Sequence, residues 1–173
     1  MLRIAPKSAF TTYREIAHIH TLNQSAGALE ATLALLKPDI LANPAFVDSI
    51  INDIQNSGMK IALRKQVFWT QGQAEQFYAE HRRRFFFDRL VKYMTSGPVE
   101  AIALSGPNVI SWWRQKMGAT RPAQMRMTNP TCLRARYGLT DTRNSFHGSD
   151  SVESAKRELV FVFGQPAYKQ IIL

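Results

Sequence analysis

The segment NSFHGSDSVESAKREL at residues 144–159 is the most informative part of this sequence. His147 is followed by the small and oxygen-bearing run Gly-Ser-Asp-Ser at 148–151. Glycine lets the backbone approach a ligand closely, and Ser and Asp favour turns and helix N-caps. Ser151 then opens an amphipathic segment with Glu153 in its first turn, which is typical of a helix start. The pattern predicts that His147 lies on a loop just before a helix, among groups that suit phosphate oxygens.

The residues around His147 favour a chemical role for this histidine. A lone histidine more often has a structural role, and a core histidine is expected among apolar residues. Here Phe146 is the only apolar residue in the run that surrounds it. The sequence therefore makes His147 the first candidate for a catalytic residue.

The positive charge of the chain is concentrated just before this segment. Seven basic residues and one acid lie between Arg114 and Arg143, so this stretch carries six of the nine net positive charges. Arginine dominates the set, and its planar guanidinium group suits phosphate oxygens. Three interpretations fit: a site for a polyphosphate nucleotide, a site for a nucleic-acid backbone, or a solvated basic surface.

The rest of the chain alternates between strand and helix patterns. Strands are predicted at 31–36, 59–69, 99–104 and 158–163, and helices at 44–57, from 71, at 84–95, at 108–117 and from Ser151. Residues 119–146 show no clear period and are predicted to form a long loop. This order predicts a ferredoxin-like α/β sandwich, in which helices cover a four-stranded antiparallel sheet.

Composition places residues 29–173 in one domain, preceded by an N-terminal extension at 1–28. The extension is rich in basic and hydroxyl residues and has a single acid, which is typical of a mitochondrial transit peptide; a plain tail and a cytoplasmic location are the alternative. Cys132 is the only cysteine, so the chain forms no intrachain disulfide and no cysteine-based metal site. No apolar run approaches the ~20 residues that span a bilayer, so no membrane insertion is expected.

The 144–159 segment resembles the active-site signature of the nucleoside diphosphate kinases, Asn-x-x-His-Gly-Ser-Asp-Ser-x-x-Ser-Ala, without a gap. The resemblance extends over about 30–163. It implies that His147 accepts a phosphoryl group and that Glu158 accepts a hydrogen bond from the second ring nitrogen. The implied reaction moves the γ-phosphate of a nucleoside triphosphate to a nucleoside diphosphate in two half-reactions, with Mg²⁺ carried on the nucleotide phosphates.

The same resemblance implies a set of nucleotide-binding residues. They occur in LALLKPD, in FYAEHRRRFFFDRLVKYMTSGPV at 77–99, in WWRQKMGAT and in LRARYGLTDTRN, and are Lys37, Tyr78, Phe86, Arg114, Thr120, Arg134 and Asn144. Phe85 stands where the family usually has proline, Ala135 stands where it has glycine, and the loop between Thr120 and Arg134 is longer. These departures resemble the divergent nucleoside diphosphate kinase 6 subgroup. They leave catalytic efficiency and oligomeric state open.

A non-enzymatic function is the alternative interpretation. A weakly active or inactive chain of the same fold would serve as an adaptor for a protein partner, or would assemble with copies of itself. A basic nucleic-acid-binding module is a further option, in which Trp112, Trp113 and the 85–87 phenylalanines stack on bases. Nucleic-acid binding is the less favoured of these, and its steep salt dependence would distinguish it.

Overall fold

The computed structural model describes residues 29–171, which form a four-stranded antiparallel sheet with helices on both faces. The strands β1 (Leu29–Leu36), β2 (Lys60–Val67), β3 (Val99–Pro107) and β4 (Phe146–Gly148) lie in the order β2-β3-β1-β4. The helices are α1 (Pro38–Leu41), α2 (Pro44–Gln55), α3 (Gln71–Phe77), α4 (Phe87–Met94), α5 (Val109–Met117), α6 (Pro122–Thr128), α7 (Leu133–Tyr137), α8 (Val152–Phe163) and α9 (Gln165–Ile171). The predicted ferredoxin-like sandwich is confirmed.

Strand β1 lies in the middle of the molecule and contributes to both hydrophobic layers. Successive side chains of a strand point to opposite faces of the sheet. Leu33 and Leu35 pack with apolar residues of α3, α4 and α8, whereas Ala34 and Leu36 pack with those of α1, α2 and α5. All four side chains are fully buried. Burial on both faces explains why this strand has a nearly continuous apolar sequence.

The helix boundaries confirm several of the sequence signals. Asn43 caps α2 by accepting a hydrogen bond from Ala45 N at 3.1 Å, with Pro44 at the first helical position. The capping box predicted at Thr70 and Gln73 opens α3. Helix α5 ends at Gly118, whose φ of +78° favours glycine.

The strand predicted at 158–163 is wrong, because these residues form the second half of helix α8. Ala155, Leu159 and Val162 are buried at intervals of four and three residues, which is the spacing of one helix face. Ser151 caps the helix by accepting from Ser154 N at 3.1 Å, and Gly164, with φ +87°, ends it. The period of a short apolar run does not distinguish a strand from a helix. The longer segment that begins at Ser151 favours the helix.

Three further features differ from the prediction. Residues 119–146 are not one long loop, because α6 and α7 lie within them, and Pro122 occupies the first turn of α6. His147 lies in the three-residue strand β4 rather than on a loop. The helix predicted at 84–95 begins later, at Phe87, after a short 3-10 turn at Ala79–His81.

The predicted N-terminal extension at 1–28 lies outside the described residues. Within residues 29–171, no helix is both long enough and apolar enough to cross a membrane.

Candidate active site

His147 is held through its backbone at the edge of the sheet. Strand β4 pairs with β1 so that His147 lies opposite Leu35. The indole Nε1 of Trp113, on α5, donates a hydrogen bond to the His147 carbonyl at 2.9 Å. A Cβ at Gly148 would lie 2.4 Å from Cδ1 of Trp113, so only glycine allows this close approach. Gly148 therefore allows strand β4 to pack closely against α5.

A chain of hydrogen bonds orients the His147 ring. Its Nε2 lies 2.8 Å from Oε2 of Glu158, on α8. The same oxygen accepts from Ser149 Oγ at 2.8 Å, and Ser149 Oγ accepts from Leu33 N at 3.1 Å. When the carboxylate is ionised it can only accept, so in the neutral imidazole Nε2 carries the proton and Nδ1 keeps its lone pair. The imidazole is therefore arranged as a nucleophile at Nδ1.

Two aromatic rings from the end of α3 enclose this histidine. The Phe77 and Tyr78 ring centroids lie 5.1 Å and 6.2 Å from that of His147, both in edge-on contact. Burial, and then the Glu158 carboxylate, raise the pKa of Tyr78, so its hydroxyl stays protonated. This hydroxyl is buried without a hydrogen-bond partner among the described residues. An unsatisfied donor beside the nucleophile suits a ligand oxygen.

Lys37 and Asn144, two of the candidate nucleotide-binding residues, contact each other. The Lys37 ammonium donates to Oδ1 of Asn144 at 2.7 Å, and both side chains are buried. Burial, and then repulsion from Arg134, lower the pKa of Lys37 to about 7, which the nearby Asp39 partly opposes. A buried cation without a bound carboxylate is costly, so this site favours an anionic ligand.

A second network fixes the turn that leads into β4. Ser145 has a left-handed backbone with φ +70° and is fully buried. Its carbonyl accepts from Lys37 N at 2.9 Å, and its hydroxyl and that of Tyr93 both donate to Asp39. These bonds hold a backbone conformation that non-glycine residues rarely adopt. They join the end of β1 to the residues just before His147.

Two backbone carbonyl groups hold the Arg134 side chain in the site. Its Nη1 donates to Gly118 O at 2.6 Å, and its Nη2 donates to Phe146 O at 3.0 Å. Burial and the neighbouring Arg114 lower the pKa of Arg134 to about 10, so it remains charged at neutral pH. Its Nε is buried without a partner among the described residues. The guanidinium group therefore retains hydrogen-bonding capacity next to His147.

Arg114 and Thr120 lie on the solvent side of this group. Both are exposed, and Thr120 follows Gly118, whose carbonyl binds Arg134. A cleft of about 950 Å³ adjoins Arg114 and is lined also by Asp150 and Ser151. His147 and Lys37 do not line this cleft, so we place the reacting groups beside it rather than inside it.

Phe86 is connected to the histidine through two intervening rings. It is half-buried and lies edge-on to His81 at 5.6 Å. His81 stacks on Tyr78 at 6.2 Å, and Tyr78 contacts His147. Phe85 is 89% exposed, whereas Phe87 and Trp113 are buried. The expectation that Trp113 and Phe87 could stack on bases is therefore wrong, because neither ring is accessible.

The structure thus brings together His147 with Glu158, Lys37 with Asn144, and Arg134 with the carbonyl of Phe146, the residue before His147. The sequence did not identify Trp113, Asp39, Ser145 and Tyr93 as supporting residues. Asp39 directly follows Lys37 and Pro38. This closeness in sequence to Lys37 was the one feature that could have identified Asp39 as a supporting residue. The roles of the nine candidate residues stay predictions.

The comparisons with known proteins agree with this geometry. The family model for nucleoside diphosphate kinase matches residues 30–167. "Nucleoside diphosphate kinase 6" of Danio rerio is 47% identical over 136 residues, which cover 79% of this chain and 77% of that protein. The protein of the same name from Homo sapiens is 42% identical over 140 residues, covering 81% and 75%. The chain belongs to the nucleoside diphosphate kinase family.

A bacterial relative and a crystal structure support the same conclusion. The nucleoside diphosphate kinase of Haemophilus ducreyi is 43% identical over 137 residues, covering 79% of this chain and 96% of that protein. The crystal structure of the Aquifex aeolicus nucleoside diphosphate kinase is 37% identical with a TM-score of 0.76, covering 79% and 96%. The resemblance to the nucleoside diphosphate kinase 6 subgroup is borne out by the animal relatives.

Proposed function

We propose that this protein transfers the γ-phosphate of a nucleoside triphosphate to a nucleoside diphosphate through a phosphohistidine at His147. The observation that carries the proposal is the 2.8 Å contact between His147 Nε2 and Glu158 Oε2. It assigns the proton to Nε2 and leaves Nδ1 for attack. Lys37 and Arg134 are buried basic residues of the candidate site, and the phosphate charge would be placed against them.

The reaction then proceeds in two symmetric half-reactions. Nδ1 forms a bond to the γ-phosphorus, the bond from phosphorus to the bridging oxygen breaks, and the nucleoside diphosphate leaves with the electron pair. The ring becomes positively charged, and Glu158 stabilises that charge through the Nε2 hydrogen bond. A second nucleoside diphosphate attacks the phosphohistidine and restores neutral His147. Each half-reaction moves one phosphoryl group and consumes no water.

Positively charged residues would hold the phosphates in line with Nδ1. Lys37 and Arg134 lie deepest, and Arg114 lies at the solvent side. Residues 29–171 contain no cluster of three or more His, Cys, Asp or Glu that could hold a metal ion. The residues that would contact the phosphates are basic, so they would bind the nucleotide and not the ion. Mg²⁺ would be carried by the nucleotide phosphates and would neutralise part of their charge.

Phe86 would provide a flat surface for the base. Stacking tolerates every base because each has a π-face. No candidate residue is placed to read a base edge, so we propose that adenine, guanine, cytosine and uracil nucleotides all serve. The direct experiment incubates the protein with Mg²⁺ and γ-labelled ATP and then adds GDP, CDP or UDP. Label should pass first to the protein and then to each diphosphate; a protein that never becomes labelled would contradict the proposal.

Replacement of Glu158 by glutamine should slow phosphoenzyme formation by about 10–100-fold, as expected when a partner that orients a histidine is lost. The amide is neutral, so it neither stabilises the charged ring nor fixes the proton on Nε2. Rapid-quench measurement of labelled protein gives the rate. Glu153→Gln, at an exposed position in the first turn of the same helix, is the matched control. An unchanged rate in Glu158→Gln would remove the orienting role.

We also propose a mitochondrial location, which rests on the composition of residues 1–28. Deletion of residues 1–27 should abolish mitochondrial import and leave phosphoenzyme formation nearly unchanged, since the residues of the site begin at Lys37. Fractionation of cells that express the full and shortened chains, each with a C-terminal tag, measures this. If the full and shortened chains have the same cellular distribution, residues 1–28 are a plain tail.

A further inference from the structure

An exposed cluster of arginines surrounds Phe85, outside the candidate active site. This cluster, the 82–89 patch, consists of Arg82, Arg83, Arg84, Phe85 and Arg89, and all five side chains are exposed. Phe85 is 89% exposed, and the Arg89 guanidinium carbon lies 5.6 Å from its ring centroid. Among residues 29–171, no other large apolar side chain is as exposed as that of Phe85.

The four guanidinium groups of the patch have no internal charge partners. Among residues 29–171, none of them forms an ion pair within 4 Å. Asp88 is the one acid within 82–89, so this stretch has a net charge of about +3. Guanidinium groups bind phosphate oxygens through two parallel hydrogen bonds and stack on flat rings. The patch therefore combines unpaired phosphate-binding groups with one free aromatic face.

We propose that the 82–89 patch binds single-stranded nucleic acid, with Phe85 stacking on a base and the arginines contacting the flanking phosphates. This combination of a basic surface and an accessible ring is how proteins bind single strands without reading sequence. A protein partner fits less well, because interface cores need several apolar side chains and this patch offers one. The chain's net charge of +9 adds long-range attraction to a polyanion.

The patch is distinct from the proposed nucleotide site, although the two are neighbours. The Phe85 and Phe86 ring centroids are 5.6 Å apart with the rings nearly perpendicular. Phe86 packs against the core, whereas Phe85 projects into solvent. Nucleotide at the active site and single-stranded nucleic acid on the patch should therefore bind together.

Fluorescence anisotropy with a labelled oligouridylate about 12 nucleotides long tests the proposal, in the presence of saturating Mg²⁺ and ADP. Phe85→Ala should weaken binding by about 5- to 100-fold, the effect of removing one base-stacking side chain. The triple variant Arg82→Gln, Arg83→Gln, Arg89→Gln should weaken binding and reduce the slope of log affinity against log salt by about 2. A duplex of the same length should bind more weakly, because its bases cannot reach Phe85.

The chain provides matched controls for both changes. Phe68 is 70% exposed but lies beyond the end of β2, and Phe68→Ala should not alter binding. The triple variant Lys60→Gln, Lys156→Gln, Lys169→Gln removes the same charge from exposed positions elsewhere and should leave the slope almost unchanged. Equal losses in the control variants, much tighter binding of the oligonucleotide when ADP is left out, or equal binding of a polyglutamate peptide would overturn the proposal. None of these results would bear on phosphoryl transfer.

Discussion

Replacement of His147 by alanine should abolish the labelled phosphoenzyme completely while the protein remains folded. The backbone contacts that hold this residue do not involve its imidazole: the pairing with Leu35 and the bond from Trp113 both go to main-chain atoms. What is lost is the ring itself and its edge contacts with Phe77 and Tyr78. Ser149 Oγ also contacts Glu158, but this hydroxyl is buried and its hydrogen bonds join Glu158 to the backbone of Leu33. The variant therefore separates chemistry from structure.

The measurement is incubation with γ-labelled ATP and Mg²⁺, followed by electrophoresis and exposure to acid or alkali. A phosphohistidine is lost in acid and kept in alkali, so the wild-type label should show that pattern. ADP binding, measured by calorimetry, should largely survive in His147→Ala, because Lys37, Arg114 and Arg134 are intact. Label that persists in this variant would show that the nucleophile is another residue, and acid-stable label would show that it is not a histidine.

The sequence predicted three of the four strands and two helix starts because these depend on strong local patterns. Asn43 with Pro44, and Thr70 with Gln73, are signals that act within one turn of helix, and the structure contains both. These caps needed no knowledge of distant contacts. The His147–Glu158 contact was implied by the family resemblance and not by a local pattern, because the apolar pattern placed Glu158 at the start of a strand.

The errors arise where tertiary contacts decide the structure. Strand β4 has three residues, too few to show an alternating pattern, and it exists because β1 offers a free edge. The 158–163 run is apolar enough for a strand, but the Ser151 cap and the buried spacing of Leu159 and Val162 make it a helix. The Asp39–Ser145 contact joins residues far apart in sequence, and no single-sequence pattern predicts it.

Replacement of Lys37 by methionine should have opposite effects on activity and on stability. Loss of one buried positive charge from the phosphate site should slow phosphoenzyme formation by on the order of 100–1,000-fold, as when one preorganised electrostatic contact is removed. Methionine has a similar length and no charge, so it fills the same buried space. The free energy of unfolding should rise, because the burial that lowers the pKa of Lys37 to about 7 also penalises its charged form.

The pH dependence distinguishes this effect from a general change in packing. Below pH 7 the folded protein carries the buried charge and bears its full cost. Between pH 7 and the ordinary lysine pKa of 10.5, folding releases a proton from Lys37, so the cost falls as pH rises. Lys37→Met should therefore be more stable than the wild type by about 2 kcal/mol at pH 6, after allowance for the lost bond to Asn144. Most of this advantage should disappear at alkaline pH.

Thermal unfolding across this pH range provides the measurement, with an expected rise in Tm of about 5 °C at pH 6. Lys156→Met, at an exposed position on α8, is the control and should change neither stability nor rate. If Lys37 had a structural role, its replacement would lower both the stability and the activity of the protein. If its role is phosphate binding, its replacement should lower the activity and raise the stability. Equal destabilisation of Lys37→Met at both ends of the pH range would show that its charge is satisfied within the protein, and Lys37 would then be removed from the proposed phosphate site.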